Sequence, residues 1–149
     1  MLLRFDDRTP FAEGRIAYNR VRGSELSTRI VLEVDIGEQL TTGFLDTGMP
    51  CVICSPEFAV LIGLNPLSGL KEEARIRGKL VRGIIHSINV SFLCDEGKPL
   101  LLGGVLAFVP NDIKDIGDDL AERSFLGMAS CLDTMCFAVD SFDRMFYFR

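Results

Sequence analysis

The sequence of 149 residues has a single histidine, no uninterrupted apolar run of membrane-spanning length and no excess of basic charge. One His excludes a His-rich zinc site within one chain and the His-Glu-x-x-His chemistry of metalloproteases. A serine or cysteine nucleophile would have to rely on that same residue, His86, as its base. The longest apolar stretch, residues 100–110, is broken by Gly103 and Gly104. It falls short of the roughly 18 or more residues that cross a bilayer and reads as buried strand. The N-terminus, Met1-Leu2-Leu3-Arg4-Phe5-Asp6-Asp7, turns acidic before a signal-peptide core can form. A cytoplasmic protein with no membrane partner is expected, even though mean hydropathy is high at +0.25.

Charge and glycine placement exclude more. Lys and Arg number 16 against 21 Asp and Glu, giving a net charge of -5 and a pI near 4.9. A phosphate-backbone binder needs a basic face, so nucleic acid is not an expected partner. Gly78-Lys79 lacks the earlier glycine of a phosphate-cradling loop, and no dinucleotide motif occurs. Five cysteines without a signal peptide suggest reduced thiols rather than a disulfide framework. Carboxylates remain the main catalytic groups, and no cofactor or metal is expected.

The apolar pattern is that of many short strands. Residues 1–28 mix charge, Pro10, Gly14 and Gly23 without clear periodicity and read as an extended lead-in to a domain over 29–149. Ile30, Leu32, Val34 and Ile36 alternate with Val31, Glu33 and Asp35, as in a half-buried strand. Gly37-Glu38 is the expected turn, and residues 39–46 return. Ser55 and Pro56 suit the N-cap and first position of a helix ending near Gly63. Residues 74–93 read as a long hairpin turning at Arg77-Gly78-Lys79, with Ile84, His86, Ile88, Val90 and Phe92 on one face of its second arm. Short helices are expected over 112–121 and 128–135, and a terminal hairpin pairs 137–140 with 145–148. With no βαβ alternation, the fold class is mainly β: a partly open to closed barrel with one or two short helices.

One stretch is chemically pointed. In Phe44-Leu45-Asp46-Thr47-Gly48 a strand delivers a carboxylate to its tip, followed by a small hydroxyl residue and a glycine turn. The strand fixes the Asp, the threonine can bond neighbouring backbone, and the glycine lets the chain bend close. The same tripeptide also suits an ordinary Asx-type turn. The stretch resembles the active-site loop of the retropepsin-like aspartic proteases. Three further segments match that family in order: Val52-Ile53-Cys54-Ser55-Pro56-Glu57-Phe58 after the loop, the glycine-tipped hairpin at Gly78, and Phe125-Leu126-Gly127-Met128 followed by Leu132 and Phe137-Ala138-Val139-Asp140. Two features depart from it. Met49-Pro50 puts bulk beside the cleft where the family commonly has Ala or Ser, and residues 112–123 are longer than a minimal member needs.

The resemblance implies a peptide or protein substrate, Asp46 as catalytic carboxylate, Thr47 and Gly48 as its loop, and Arg77, Gly78 and Lys79 as a flap. It also sets a stoichiometry. Such proteolysis needs two carboxylates sharing one proton. Asp133-Thr134-Met135 lacks the glycine, so the second Asp must come from another copy, and a homodimer is implied. Other readings of the chain remain: a non-catalytic dimerisation or peptide-binding module, and a thiol-redox protein using Cys51 and Cys54. Cys131 and Cys136 could add to that pair as zinc ligands, though their spacing fits poorly. The terminal Met145-Phe146-Tyr147-Phe148 run is apolar on both faces, which calls for burial in the core or at a subunit interface.

Overall fold

The computed structural model describes residues 2–21 and 28–149, so residue 1 and residues 22–27 of the lead-in lie outside the described part. Its strands are β1 (Gly14–Ala17), β2 (Ile30–Ile36), β3 (Gln39–Leu45), β4 (Val52–Ile53), β5 (Leu70–Ile76), β6 (Lys79–Phe92), β7 (Glu96–Gly97), β8 (Leu100–Pro110), β9 (Ser124–Leu126), β10 (Phe137–Asp140) and β11 (Met145–Phe148). Two short helices, α1 (Pro56–Leu61) and α2 (Asp119–Glu122), accompany them. No helix among the described residues is long and apolar enough to cross a membrane.

Seven strands form one sheet in the order β2-β3-β9-β4-β8-β6-β5. Pairing of β2 with β6, through Val34↔Phe92 and Ile36↔Val90, closes six of them into a barrel and leaves β5 outside the ring. The expected mainly-β barrel is therefore observed. Its two-residue turns follow from backbone chirality. Gly37-Glu38 and Arg77-Gly78 each carry two positive φ values, the primed geometry that matches strand twist. The long strand β6 serves several partners, and a bulge between Ile88 and Val90 bends it along β8.

Strand alternation divides the interior into two clusters. Leu32, Val34, Ile36, Val52 and Leu126 face the first; Val31, Phe44, Ile53 and Phe125 face the second. The strands β4 and β9 are consequently buried on both sides. The second sheet, β10-β11-β1-β7, covers the first cluster. Phe146 stacks on Phe92 at 5.9 Å and on Phe137 at 5.6 Å. Both Phe146 and Phe148 are fully buried, and β11 is hydrogen-bonded to β10 and β1 of its own chain. Of the two readings of the terminal run, the structure shows burial in the core.

Three expectations change in detail. The hairpin starts at Leu70 rather than 74. Residues 112–121 form a 3₁₀ turn (Ile113–Asp115) and then the start of α2, not one helix. Gly117, at φ +137°, interrupts them. Residues 128–135 contain only a 3₁₀ turn, Leu132–Thr134, because Ser130 at φ +58° and Cys131 at φ -119°, ψ -93° leave the helical region. Within the lead-in, β1 lies between β11 and β7 with Ile16 in the core. Asn19 then ties the lead-in to β2, accepting from Val31 N–H at 2.6 Å and donating to the Arg29 carbonyl at 2.9 Å.

Removing a buried ring from such a core loses both transfer energy and packing. Phe146→Ala is expected to lower stability by about 3–5 kcal/mol, whereas Phe142→Ala, at a position 93% exposed, changes it by less than about 0.5 kcal/mol. Urea denaturation of the two variants measures the difference.

Candidate active site

Asp46 follows directly on β3, whose position is fixed from both sides. One neighbour is β2, antiparallel; the other is β9, parallel, with Gly43↔Ser124, Phe44↔Phe125 and Leu45↔Leu126 in register. The Asp46 N–H extends that ladder by one bond, donating to the Leu126 carbonyl at 3.1 Å. The chain then turns. Met49 N–H donates to the Asp46 carbonyl at 3.1 Å, and Gly48 N–H donates to Asp46 Oδ1 at 2.9 Å. One carboxylate oxygen is thereby anchored while the side chain stays half-exposed. A Cβ on Gly48 would sit 3.1 Å from that oxygen, so a larger residue there would push the carboxylate by a few tenths of an ångström.

The loop is held by a second loop crossing it. Met128 N–H donates to the Met49 carbonyl at 3.0 Å, and Ala129 N–H donates to the Pro50 carbonyl at 2.8 Å. At the crossing, a Cβ on Gly127 would lie 2.1 Å from the Cys51 carbonyl oxygen and 2.8 Å from that of Met49. Both neighbours are backbone and cannot swing away, so only glycine fits. The sequence expectation gave the locking role to the Thr47 hydroxyl. The structure gives it to the backbone of 126–129, and Thr47 is exposed with no hydrogen bond among the described residues of its own chain.

The bulk of Met49 is packed, not projecting: the residue is 2% exposed and lies in the second cluster with Phe44 and Phe125. The hairpin reaches the same cluster through Ile76 and Val81. Its tip residues divide. Gly78 and Lys79 are exposed, while Arg77 donates to the Ile116 carbonyl at 3.1 Å and pairs with Asp119 at 3.6 Å. The structure therefore joins the Asp46 loop and the hairpin through one apolar floor, but turns the Arg77 side chain onto residues 113–122.

Sequence reading singled out Phe44, Phe125 and Arg77 but not Arg29, Arg123 and Asp119, which meet them at that floor. Phe44 and Phe125 lie 5.3 Å apart, and the guanidiniums of Arg29, Arg77 and Arg123 are within 4.7 to 5.5 Å of one or both rings. Arg29 also donates to Asp119 Oδ2 at 2.6 Å. These contacts join residues far apart in the chain, so periodicity carries no trace of them. A cavity of about 580 Å³ lies elsewhere, at the base of the hairpin between Glu72, Glu73, Arg82, Ile84 and Asn111.

The other candidates resolve differently. Cys51 belongs to the second cluster and Cys54 to the first, on opposite strand faces as a three-residue step in a strand requires. Burial pushes the Cys51 thiol up to about 11 and the Cys54 thiol up to about 12, although a backbone bond from Phe108 and the Ser124 hydroxyl oppose the rise. Burial likewise raises Cys131 to about 12. A redox thiol needs the opposite shift. Cys136 is exposed, and no group of three or more potential ligands gathers among the described residues. His86 is half-buried on β6 opposite Ala107, with Nε2 buried and without a hydrogen-bond partner among the described residues.

No family model matches the chain, and no curated protein sequence does. A solved structure does match in shape: the crystal structure of a retropepsin-like aspartic protease from Rickettsia conorii. It aligns with a TM-score of 0.61 over 91% of this chain and 89% of that one, at 17% identity. The fold is retropepsin-like. In the retropepsin-like frame, Asp46 stands where two loops cross at the end of a doubly paired strand, and the hairpin ending at Arg77-Gly78 leans toward the same floor.

Thiol accessibility tests the site's packing. A thiol at about 11 is ionised to about one part in a thousand at pH 8. In native protein, Ellman's reagent should titrate Cys136, with slower reaction at half-buried Cys94. Cys51, Cys54 and Cys131 should react only after denaturation. Prompt native reaction at Cys51 would contradict the packing.

Proposed function

We propose that the chain is an aspartic endopeptidase active as a symmetric homodimer, with one Asp46 from each copy. The observation that carries this reading is the Asp46-Thr47-Gly48 loop: a half-exposed carboxylate anchored through one oxygen, in a retropepsin-like fold, with one such loop per chain. Thr47, exposed and unbonded among the described residues of its own chain, leaves its hydroxyl for the second copy.

The chemistry follows from bringing two carboxylates together. Adjacent like charges cannot both ionise easily, so the pair retains one proton between them. The ionised carboxylate takes a proton from water as that water attacks the peptide carbonyl carbon. The protonated one donates to the carbonyl oxygen, stabilising the charge that develops there. Collapse of the tetrahedral intermediate returns a proton to the leaving amine and breaks the C–N bond. Water is the only co-reactant. An extended peptide would be held by strand-like pairing to the hairpin around Arg77, Gly78 and Lys79.

A second reading has its own observation. The floor beside Asp46 is filled by the chain's own side chains, which also suits a dimerising or peptide-binding module without turnover. Replacing Asp46 separates the two. Asp46→Asn should leave the dimer intact by analytical ultracentrifugation and reduce cleavage of a diverse peptide library by about 10²–10⁴-fold or more. Cleavage that survives the change would refute the catalytic role. No cleavage by the unaltered dimer at any pH would favour the binding module.

A further inference from the structure

The β5–β6 hairpin carries the opposite charge to the rest of the chain. Residues 70–85 hold five Lys and Arg against Glu72 and Glu73, a net charge of +3. The rest of the chain carries -8, for a total of -5. Strand alternation sorts these charges. Ala74, Ile76, Val81 and Ile85 face the second cluster, so Lys71, Glu73 and Arg75 of β5 and Arg82 of β6 face outward. The register sets Glu73 opposite Arg82, and their side chains meet at 3.3 Å. Lys71 and Arg75 lie instead opposite Ile84 and Leu80. Neither has an ion pair among the described residues; Arg75 donates to the Gly78 carbonyl at 3.4 Å.

The strand that bears these two cations has an open edge. It ends the seven-stranded sheet, outside the closed ring, and among the described residues pairs only with β6. Such an edge offers a row of backbone N–H and C=O groups to an extended segment, and the charges along it decide which segments approach. A second copy is disfavoured. Antiparallel pairing over the whole of Leu70–Ile76 would set Lys71 against Arg75 and Glu73 against its own counterpart, like charges at all three outward positions. The cavity of about 580 Å³ opens beside the same strand, between Lys71, Arg82 and Asn111 with Ile84 at its floor. Of the glutamates around it, Glu73 is paired with Arg82, and Glu72 belongs by alternation to the other face of the ribbon.

We infer that β5 is a docking strip for an extended acidic segment, which adds as a strand to the open edge and sets two carboxylates, four residues apart, against Lys71 and Arg75. The spacing follows from the strand. Lys71 and Arg75 share a face and stand about 13 Å apart, the span of four extended residues. A partner strand therefore meets both with acidic residues at i and i+4, and a basic residue at i+2 meets Glu73. Backbone pairing supplies affinity for any extended chain, while the alternating charges select among chains. The cavity gives room at the Lys71 end, where an incoming carboxylate also comes within reach of Asn111. That the segment belongs to a substrate whose other residues reach Asp46 rests on the endopeptidase reading; the strip itself does not.

The test measures binding to the full chain carrying Asp46→Asn, which leaves peptide uncut. The probes are fluorescein-labelled Val-Glu-Thr-Lys-Thr-Glu-Val and its charge-reversed form Val-Lys-Thr-Glu-Thr-Lys-Val, both symmetric in charge and so indifferent to strand direction. By fluorescence anisotropy at low salt, the first should bind about three- to ten-fold tighter than the second, with the difference shrinking as salt rises. Its binding should slow hydrogen exchange across 70–76. The double variant Lys71→Glu, Arg75→Glu, changed at two exposed positions, should invert the preference. Equal affinity for the two peptides, binding of neither, or a preference that the double variant leaves unmoved would overturn the inference. So would tighter binding of single-stranded oligothymidine than of the first peptide, or loss of the dimer by ultracentrifugation in the double variant, which would make the strip a subunit interface. Failure of the Asp46 reading looks different. Charge-selective binding with no cleavage of any peptide by the unaltered protein sinks the endopeptidase and supports the strip. Cleavage with equal affinity for the two probes does the reverse.

Discussion

The structure depends on one close crossing of backbone. Where Gly127 passes the carbonyls of Met49 and Cys51, two loops approach to a separation no side chain could share. The crossing is sealed by hydrogen bonds from Met128 to Met49 and from Ala129 to Pro50. Backbone contacts of this kind leave no slack, because neither partner has a rotamer to change. The consequence for Asp46 is positional: its carboxylate is fixed by the register of β3 on β9 and by the Gly48 amide, not by long side chains. Chemistry that needs two carboxylates within hydrogen-bond reach of one water requires that kind of rigidity on each side.

The same region separates the two core clusters. Because β4 and β9 are covered on both faces, each residue step along them alternates between clusters, from Leu126 to Phe125 and from Val52 to Ile53. The first cluster is sealed by the sheet that carries Phe146 and Phe148. The second is covered by the hairpin and by residues 113–122, which rest on it through few side chains and a latch of partly exposed ion pairs. Exposed ion pairs each contribute about 0–1 kcal/mol. The ion pairs on the Asp46 side therefore add little, and it is the burial of Ile76, Val81, Ile116 and Leu120 that holds the cover in place.

Much of this architecture was legible in the residues because alternation and turn chemistry are local. The 30–46 hairpin, α1 with its Ser55 cap and the terminal hairpin follow from patterns a few residues long. The short strand β1 escaped detection because Gly-Arg-Ile-Ala offers one large apolar residue, and its place is set by partners some 80 and 130 positions away. The helix expected over 128–135 failed for another reason: Ser130 at φ +58° and Cys131 at φ -119°, ψ -93° leave the helical region, which apolar spacing does not reveal. At the site, Asp46, Gly48 and Gly127 could be singled out from their motifs. The Arg29–Asp119–Arg77 latch could not, since a long-range ion pair leaves no periodic signature.

The central claim is that the working unit contains two chains, each supplying one Asp46. Mixing unaltered protein with the Asp46→Asn variant, under conditions where subunits exchange freely, tests this directly. If both carboxylates are required, peptide-cleavage activity at constant total protein falls as the square of the unaltered fraction. A fall in direct proportion to that fraction would show that each chain is a complete catalyst and would contradict the account.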